Sequence, residues 1–154
     1  MKEAARRCIL RAATAADREA IAAVWHASAS LPDVGPPAMP TLRELRQRLD
    51  AELAAGWAVT VAVQDGAVVG FVALKPAECI LAELFVRPDA IGGGLGQALL
   101  DHAKQAMPDG FTLYTRPANV RACRFYERAG LSFLRYGTHP RTGEPTVYYH
   151  WKGR

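Results

Sequence analysis

Between residues 79 and 115 the chain passes from an apolar run through a Pro- and Gly-rich turn into an amphipathic helix, then back into an apolar run. Few folds accommodate that succession. Residues 79–86 read as a buried strand, residues 95–106 as a helix and residues 111–115 as the next strand. Strand, helix and strand in this order form a βαβ unit, whose two strands lie parallel with a right-handed crossover.

The flanking segments extend this unit. Thr14 and Asp17 have capping-box spacing, and Ile21, Val24, Trp25 and Ser28 then recur at helical intervals, which predicts a helix over residues 15–29. Residues 31–40 contain Pro32, Pro36, Pro37 and Pro40 and cannot continue it, because proline lacks the donor and restricts its predecessor. Thr41 and Glu44 form a second capping box; Leu42, Leu45, Leu49 and Leu53 share one face until Gly56 stops the helix. Two helices are thus expected before the sheet. Residues 57–63 and 67–74 flank Gln64-Asp65-Gly66 and should pair as an antiparallel hairpin. Asn119 caps a helix that sets Ala122, Phe125, Tyr126 and Ala129 on one side, with Gly130 ending it. Residues 131–136 and 146–151 supply two last strands.

A length of 154 residues suits one domain over residues 1–154. Half of the residues are apolar and 22% are charged, which is too apolar for a disordered chain. The net charge of +4 is scattered and forms no tract, so no nucleic-acid partner is expected. Cys8, Cys79 and Cys123 are odd in number and lack CxxC spacing or paired His ligands, so neither a disulfide framework nor a metal site is expected. The basic, Ala-rich start has only Cys8-Ile9-Leu10 as an apolar run before Arg11, too short for a signal peptide. No later run has the length to cross a bilayer. A soluble protein of the reducing cytoplasm is the expectation.

Gly92, Gly93, Gly94 and Gly96 stand where the strand gives way to the helix. Unpaired amides and the helix dipole converge there, and together they attract phosphate. Glycine lets the backbone approach the anion, whereas a Cβ would hold it away. A flexible turn and helix cap is the plainer explanation of the glycines alone. A Walker loop is excluded, since Gly94-Leu95-Gly96 offers neither the Lys nor the hydroxyl. The dinucleotide fingerprint also fails: Gln97 stands where its third Gly belongs, and Thr115-Arg116-Pro117 where an acid is needed.

With its flanks, Leu84-Phe85-Val86-Arg87-Pro88-Asp89 followed by Gly94-Leu95-Gly96-Gln97-Ala98-Leu99-Leu100 resembles the acetyl-CoA motif of the GNAT superfamily of N-acetyltransferases. Asn119-Val120-Arg121-Ala122-Cys123-Arg124-Phe125-Tyr126-Glu127-Arg128-Ala129-Gly130-Leu131 resembles that family's N-x-x-A-x-x-F-Y-E-x-x-G-F segment. The resemblance covers nearly the whole chain. It implies an α/β GNAT fold: a mixed, mostly antiparallel central sheet with a parallel βαβ unit at the cofactor cleft and helices on both faces.

It also implies roles. Backbone groups of Leu84, Phe85 and Val86 would bond the pantetheine arm of acetyl-CoA where two strands splay apart, and the amides of Gly92, Gly93, Gly94, Leu95, Gly96 and Gln97 would hold its pyrophosphate. Asn119 would contact the cofactor, and Tyr126 would face the thioester sulfur. The family usually carries Arg or Gln where this chain has Ile91, so a side-chain contact to phosphate is lost there. A homodimer is common in the family.

A phenolic O–H near the sulfur can donate to the departing thiolate, and such help is typically worth about 10²–10⁴ in rate. Helix periodicity alone would make Tyr126 a core aromatic. The amine is the harder partner: an ammonium with a pKa near 10.4 lies about 3.4 units from neutral pH, so exposing its lone pair costs roughly 4–5 kcal/mol. A base is therefore needed. Glu83 is the leading candidate because it alternates with Leu81 and Phe85 on an apolar strand, and burial raises a carboxylate's pKa. A solvated sheet-edge carboxylate is the alternative, and His26 and His139 are further bases. No cysteine matches a nucleophile position, so direct transfer is expected.

Residues 31–40 and 137–145 would flank the acceptor cleft. Relatives that acetylate protein N-termini carry a Glu where this chain has Tyr114, which leaves a small primary amine ahead of a peptide or protein N-terminus or lysine. A CoA-binding module without catalysis and a cofactor-free interaction domain are the alternatives from other classes.

Overall fold

The computed structural model describes residues 8–154; the basic start of the chain lies outside the described residues. Seven strands form one sheet in the order β1-β2-β3-β4-β5-β7-β6. They are β1 (Cys8–Ala12), β2 (Ala58–Gln64), β3 (Ala67–Lys75), β4 (Ile80–Val86), β5 (Phe111–Thr115), β6 (Ser132–Thr138) and β7 (Pro145–Trp151). Only β4 and β5 pair in parallel; every other neighbouring pair is antiparallel. Among the described residues four α-helices accompany them: α1 (Arg18–Ala29), α2 (Leu42–Ala54), α3 (Leu95–Ala106) and α4 (Val120–Arg128). The mixed, mostly antiparallel α/β arrangement expected from the sequence is therefore present.

Each sheet face has its own core. On one face Ile21, Trp25, Leu45, Leu49, Val61 and Phe71 join α1 and α2 to the sheet, and on the other Leu99, Leu100, Leu113, Tyr126 and Tyr149 join α3 and α4 to it. Helices thus lie on both faces. Phe71 and Leu99 are fully buried, which is the burial that most favours folding, at roughly 1.5–3 kcal/mol for such a side chain. Among the described residues, no helix is long and apolar enough to cross a membrane.

The expectation that two helices precede the sheet fails, because β1 comes first and pairs with β2 from Cys8↔Gln64 to Ala12↔Thr60. Its pattern was hard to see: β1 is an edge strand, and Ile9 remains 59% exposed. The predicted first helix also begins with a 3-10 turn at Ala15–Asp17 before α1. Asp17 organises that entry by accepting two bonds from Arg11, at 2.7 and 3.0 Å, and one from the Thr14 amide at 2.7 Å. The Arg11 guanidinium, together with the Thr14 amide, holds the Asp17 carboxyl well below the usual carboxylate range.

β4 contains the irregularity that matters most. Its register with β3 runs Gly70↔Val86, Phe71↔Phe85, Val72↔Leu84 and Ala73↔Glu83, then jumps to Leu74↔Leu81, leaving Ala82 as an extra residue. This bulge corrects the expected alternation. Leu81 belongs to the α3/α4 core and Phe85 packs against the α1/α2 core, so Glu83 shares a face with Phe85 and not with Leu81.

A depressed carboxylate pKa contributes stability that is present above the unfolded value of 3.8 and lost as the pH falls through the folded one. Asp17→Asn should therefore lower unfolding stability by about 2 kcal/mol at pH 7, in line with charge-assisted bonds of this kind. The deficit should narrow below about pH 4, as denaturant titrations at the two pH values will show.

Candidate active site

β4 and β5 meet at one ladder position, Ile80↔Thr112, and then part. A bond from the Arg87 amide to the Val69 carbonyl, at 2.7 Å, sets the alternation along the other edge of β4. That phase turns the amide groups of Phe85 toward β3 and those of Leu84 and Val86 toward the gap. The Val86 carbonyl is already taken by the buried Ser28 hydroxyl, at 2.9 Å. Leu84 therefore offers both backbone groups to the gap and Val86 its N–H, whereas Phe85 contributes through its ring, 5.9 Å from that of Phe71.

The glycine loop lies beyond the end of β4. Gly94 caps α3 at φ +83° with no side-chain cap, and Gly92 stands at φ +94°. A Cβ at either would meet no atom within 4 Å, so these glycines serve the backbone path and leave the space above the amides clear. The first backbone bond of α3 runs from Ala98 to Gly94, leaving the amides of Leu95, Gly96 and Gln97 without helical partners. Gly96 also packs closely, with Phe125 3.5 Å from the position of a Cβ. Ile91 is exposed beside this loop and brings no charge to it.

A cavity of about 530 Å³ opens where β4 and β5 part, lined by residues of both strands. Leu84, Phe85, Asn119, Tyr126 and Glu83 all line it; the residues 92–97 do not. The structure thus brings both proposed catalytic side chains to one cavity and leaves the glycine loop outside its lining. Tyr126, on α4, is only 7% exposed. Its hydroxyl bonds to no described side chain, and burial, then the Glu83 charge, pushes its pKa up. Asn119 accepts from the Ala122 amide at 3.2 Å as the α4 N-cap, which leaves its amide NH₂ for a ligand.

Glu83 forms no hydrogen bond or ion pair among the described residues. Desolvation raises its pKa to about 7, with Glu52 adding to the shift and Arg48 opposing it. His139 also lines the cavity, but its Nδ1 accepts from the amides of Arg141 and Thr142, at 3.1 and 3.3 Å. In a neutral ring the proton then sits on Nε2, so His139 is equipped to donate and not to act as a base. His26 does not line the cavity.

Residues 31–40 and 137–145 both reach the cavity and are fastened over it. Arg116 donates to the Gly35 carbonyl and pairs with Glu144 at 3.6 Å, while Arg141 pairs with Glu52 at 3.3 Å. Gly35 is required where it stands, because a Cβ would come within 2.4 Å of the Ala29 carbonyl.

The sequence matches the Acetyltransferase (GNAT) family over residues 20–131. The chain belongs to the GNAT acetyltransferase family. The peptidyl-lysine N-acetyltransferase YiaC of Escherichia coli (strain K12) is 31% identical over 88 residues, a match spanning 57% of this GNAT chain and 59% of that protein. A GCN5-related N-acetyltransferase from Rhodopseudomonas palustris superposes with a TM-score of 0.77 at 20% identity, covering 99% of both chains. A GNAT phosphinothricin acetyltransferase from Sinorhizobium meliloti, solved with AcCoA, superposes with a TM-score of 0.75 at 18% identity, covering 95% of this chain and 88% of that one. These likenesses establish the GNAT fold.

Sequence reasoning missed Ser28 as the partner of Val86, and it missed Arg48, which lines the cavity from α2. The signal for Arg48 was present: Glu44, Arg48 and Glu52 form an i, i+4, i+8 row beside the Leu45 and Leu49 stripe.

Glu83 titrates near 7 in the folded chain against 4.5 otherwise, so its protonated form is favoured by folding. The stability this contributes is complete below 4.5 and is lost as the pH rises through 7. Glu83→Gln, neutral throughout, should thus be more stable than the parent at pH 8.5, by about 1–3 kcal/mol after allowance for screening in an open cavity. The advantage should vanish near pH 4.5, as paired urea titrations will show.

Proposed function

We propose that this chain transfers the acetyl group of acetyl-CoA directly to the primary amine of a small molecule. The observation that carries the proposal is the meeting of Glu83 and Tyr126 at one cavity, where β4 and β5 part. Acetyl-CoA fits the chain's groups: Leu84 and Val86 offer free ladder positions to an extended amide arm, and the α3 N-terminus offers open amides to pyrophosphate. When bound, it supplies an activated acyl group on sulfur.

Glu83 takes the ammonium proton. With a pKa of about 7 it is substantially ionised at neutral pH and is a stronger base than an ordinary carboxylate. The neutral amine nitrogen then bonds to the acyl carbon as the carbon–sulfur bond breaks; CoA leaves as a thiolate, and the second nitrogen proton, made strongly acidic by acylation, passes to solvent. Burial raises Tyr126 above the ordinary tyrosine value, while a thiol titrates near 8.5, so full proton transfer from Tyr126 is unfavourable. Tyr126 stabilises the thiolate by donating a hydrogen bond to it, and solvent protonates the thiolate afterwards.

The acceptor is inferred from the fastened loops, which enclose a cavity of small-molecule size. The likeness to a peptidyl-lysine acetyltransferase favours a lysine side chain as the second reading. Residues 1–154 would act as a single domain in the cytoplasm, where Cys8, Cys79 and Cys123 would remain free thiols. The exposed Phe133, Leu134 and Tyr136 on edge strand β6 offer a surface for a second copy of the chain.

Thiol release from acetyl-CoA across a panel of amines and lysine peptides tests the proposal; release with none, at saturating enzyme, would leave a CoA-binding module. Tyr126→Phe should lower kcat by about 10–100-fold with little change in KM for acetyl-CoA, the loss expected of one hydrogen bond to a charged group. In the parent, kcat/KM for the amine should rise with pH through a limb near 7. Glu83→Gln should abolish that limb; a limb that stays in place assigns the base elsewhere.

A further inference from the structure

The cavity wall contains a cation that forms no hydrogen bond or ion pair among the described residues. Arg48 on α2 lies over the Trp25 ring, its guanidinium carbon 5.3 Å from the centroid. Its Nε is buried without a hydrogen-bond partner, and among the described residues it forms no ion pair. The other two arginines of the cavity are engaged, Arg116 with Glu144 and Arg141 with Glu52. Arg48 faces the chemistry: its charge acts on Glu83, Tyr114 and His139, which line the same cavity. A second buried polar atom without a partner, Thr146 Oγ1, belongs to a residue of that wall only 1% exposed.

Buried polar atoms are ordinarily paired, and a half-buried guanidinium whose Nε is buried without a partner, beside a substrate cavity, points to a ligand that completes it. With its carbon over the Trp25 ring and no hydrogen bond among the described residues, the guanidinium keeps its N–H donors, a planar fork that matches a carboxylate. The phosphates of CoA are not that ligand, because the loop of residues 92–97 lies outside this cavity.

We propose that Arg48 binds a carboxylate on the acceptor, so that the substrates are small amino acids: amines that carry their own carboxylate. The inference rests on the acetyl-transfer reading above and assigns the acceptor of that same site. Glu83 and Arg48 do not pair with each other although they share the cavity, so each is free to take one end of such a molecule. Glu83 receives the ammonium and Arg48 the carboxylate, with the Thr146 hydroxyl available to donate to a further oxygen. A lysine side chain within a peptide has no carboxylate beside its amine and leaves Arg48 unsatisfied.

The test compares the proteinogenic α-amino acids, β-alanine and 4-aminobutyrate with their amides, using the parent chain, Arg48→Met and Arg48→Lys. Binding is read by calorimetry and tryptophan fluorescence with CoA present, and turnover by thiol release from acetyl-CoA. At least one amino acid should bind the parent 10–100-fold more tightly than its amide. Arg48→Met should erase that preference and leave amide binding within about threefold, whereas Arg48→Lys should keep part of it. Equal binding of acid and amide by the parent, or a preference unchanged in Arg48→Met, overturns the proposal, as does preferential turnover of lysine peptides that is indifferent to Arg48. Should Arg48→Met fail to fold, the parent and Arg48→Lys comparisons decide alone. Amino-acid binding without thiol release would contradict acetyl transfer and leave the Arg48 site standing; release with neutral amines as readily as with amino acids would do the reverse.

Discussion

The parting of β4 from β5 after one ladder pair is the constraint on which the rest of the site depends. A fully zipped parallel pair would use the backbone groups of Leu84 and Val86 and close the gap beside the cavity that Tyr126 lines. Held apart, the two strands leave ladder donors and acceptors without partners in the fold, a costly state for buried groups unless a ligand or water supplies the missing bonds. The separation is maintained from both faces. Ser28 binds the Val86 carbonyl from the α1 side, and Gly96 brings α3 against the Phe125 ring and Val86 on the other.

The bulge at Ala82 gives the gap its chemistry. An extra residue bends a strand and re-aims the side chains beyond it. Here it moves Glu83 out of phase with Leu81 and onto the face of the α1/α2 core, where the cavity opens. Desolvation there brings a carboxylate into the range in which it can accept a proton near neutral pH. The same low-polarity surroundings keep the Tyr126 proton in place, so the two groups are driven toward complementary tasks by a common cause. On the proposed reading, charge is separated by location: the open amides at the α3 N-terminus would serve an anionic cofactor, and Glu83 with Arg48 the acceptor.

Much of this was legible in the residues. The capping box at Thr41, the Asn119 N-cap, the Gln64-Asp65-Gly66 hairpin and the strand–helix–strand succession are local patterns, and the structure places each element close to the expected bounds. β1 was not legible, because an exposed edge strand buries too little to show alternation. The Ala82 bulge was hidden as well, since an inserted residue leaves no mark in an apolar run and shows itself only in the register against β3. Glu83 was thus named as a base on a phase that the bulge overturned. Asn119 and Tyr126 emerged from the resemblance of residues 119–131 to the GNAT segment, whereas Arg48 depends on which helix row faces a cavity, a tertiary fact that the α2 pattern only hints at.

The central claim is that the gap beside β4 and the amides at the start of α3 form one continuous cofactor track. Amide chemical shifts followed by NMR during titration with CoA test this most directly, because they read the backbone groups themselves. The account predicts that the amides of Leu84, Val86 and residues 92–97 shift together along one binding isotherm, while those of β1 and β2 stay still. Shifts confined to other surfaces, or saturation with Leu84 and Val86 unmoved, would contradict it.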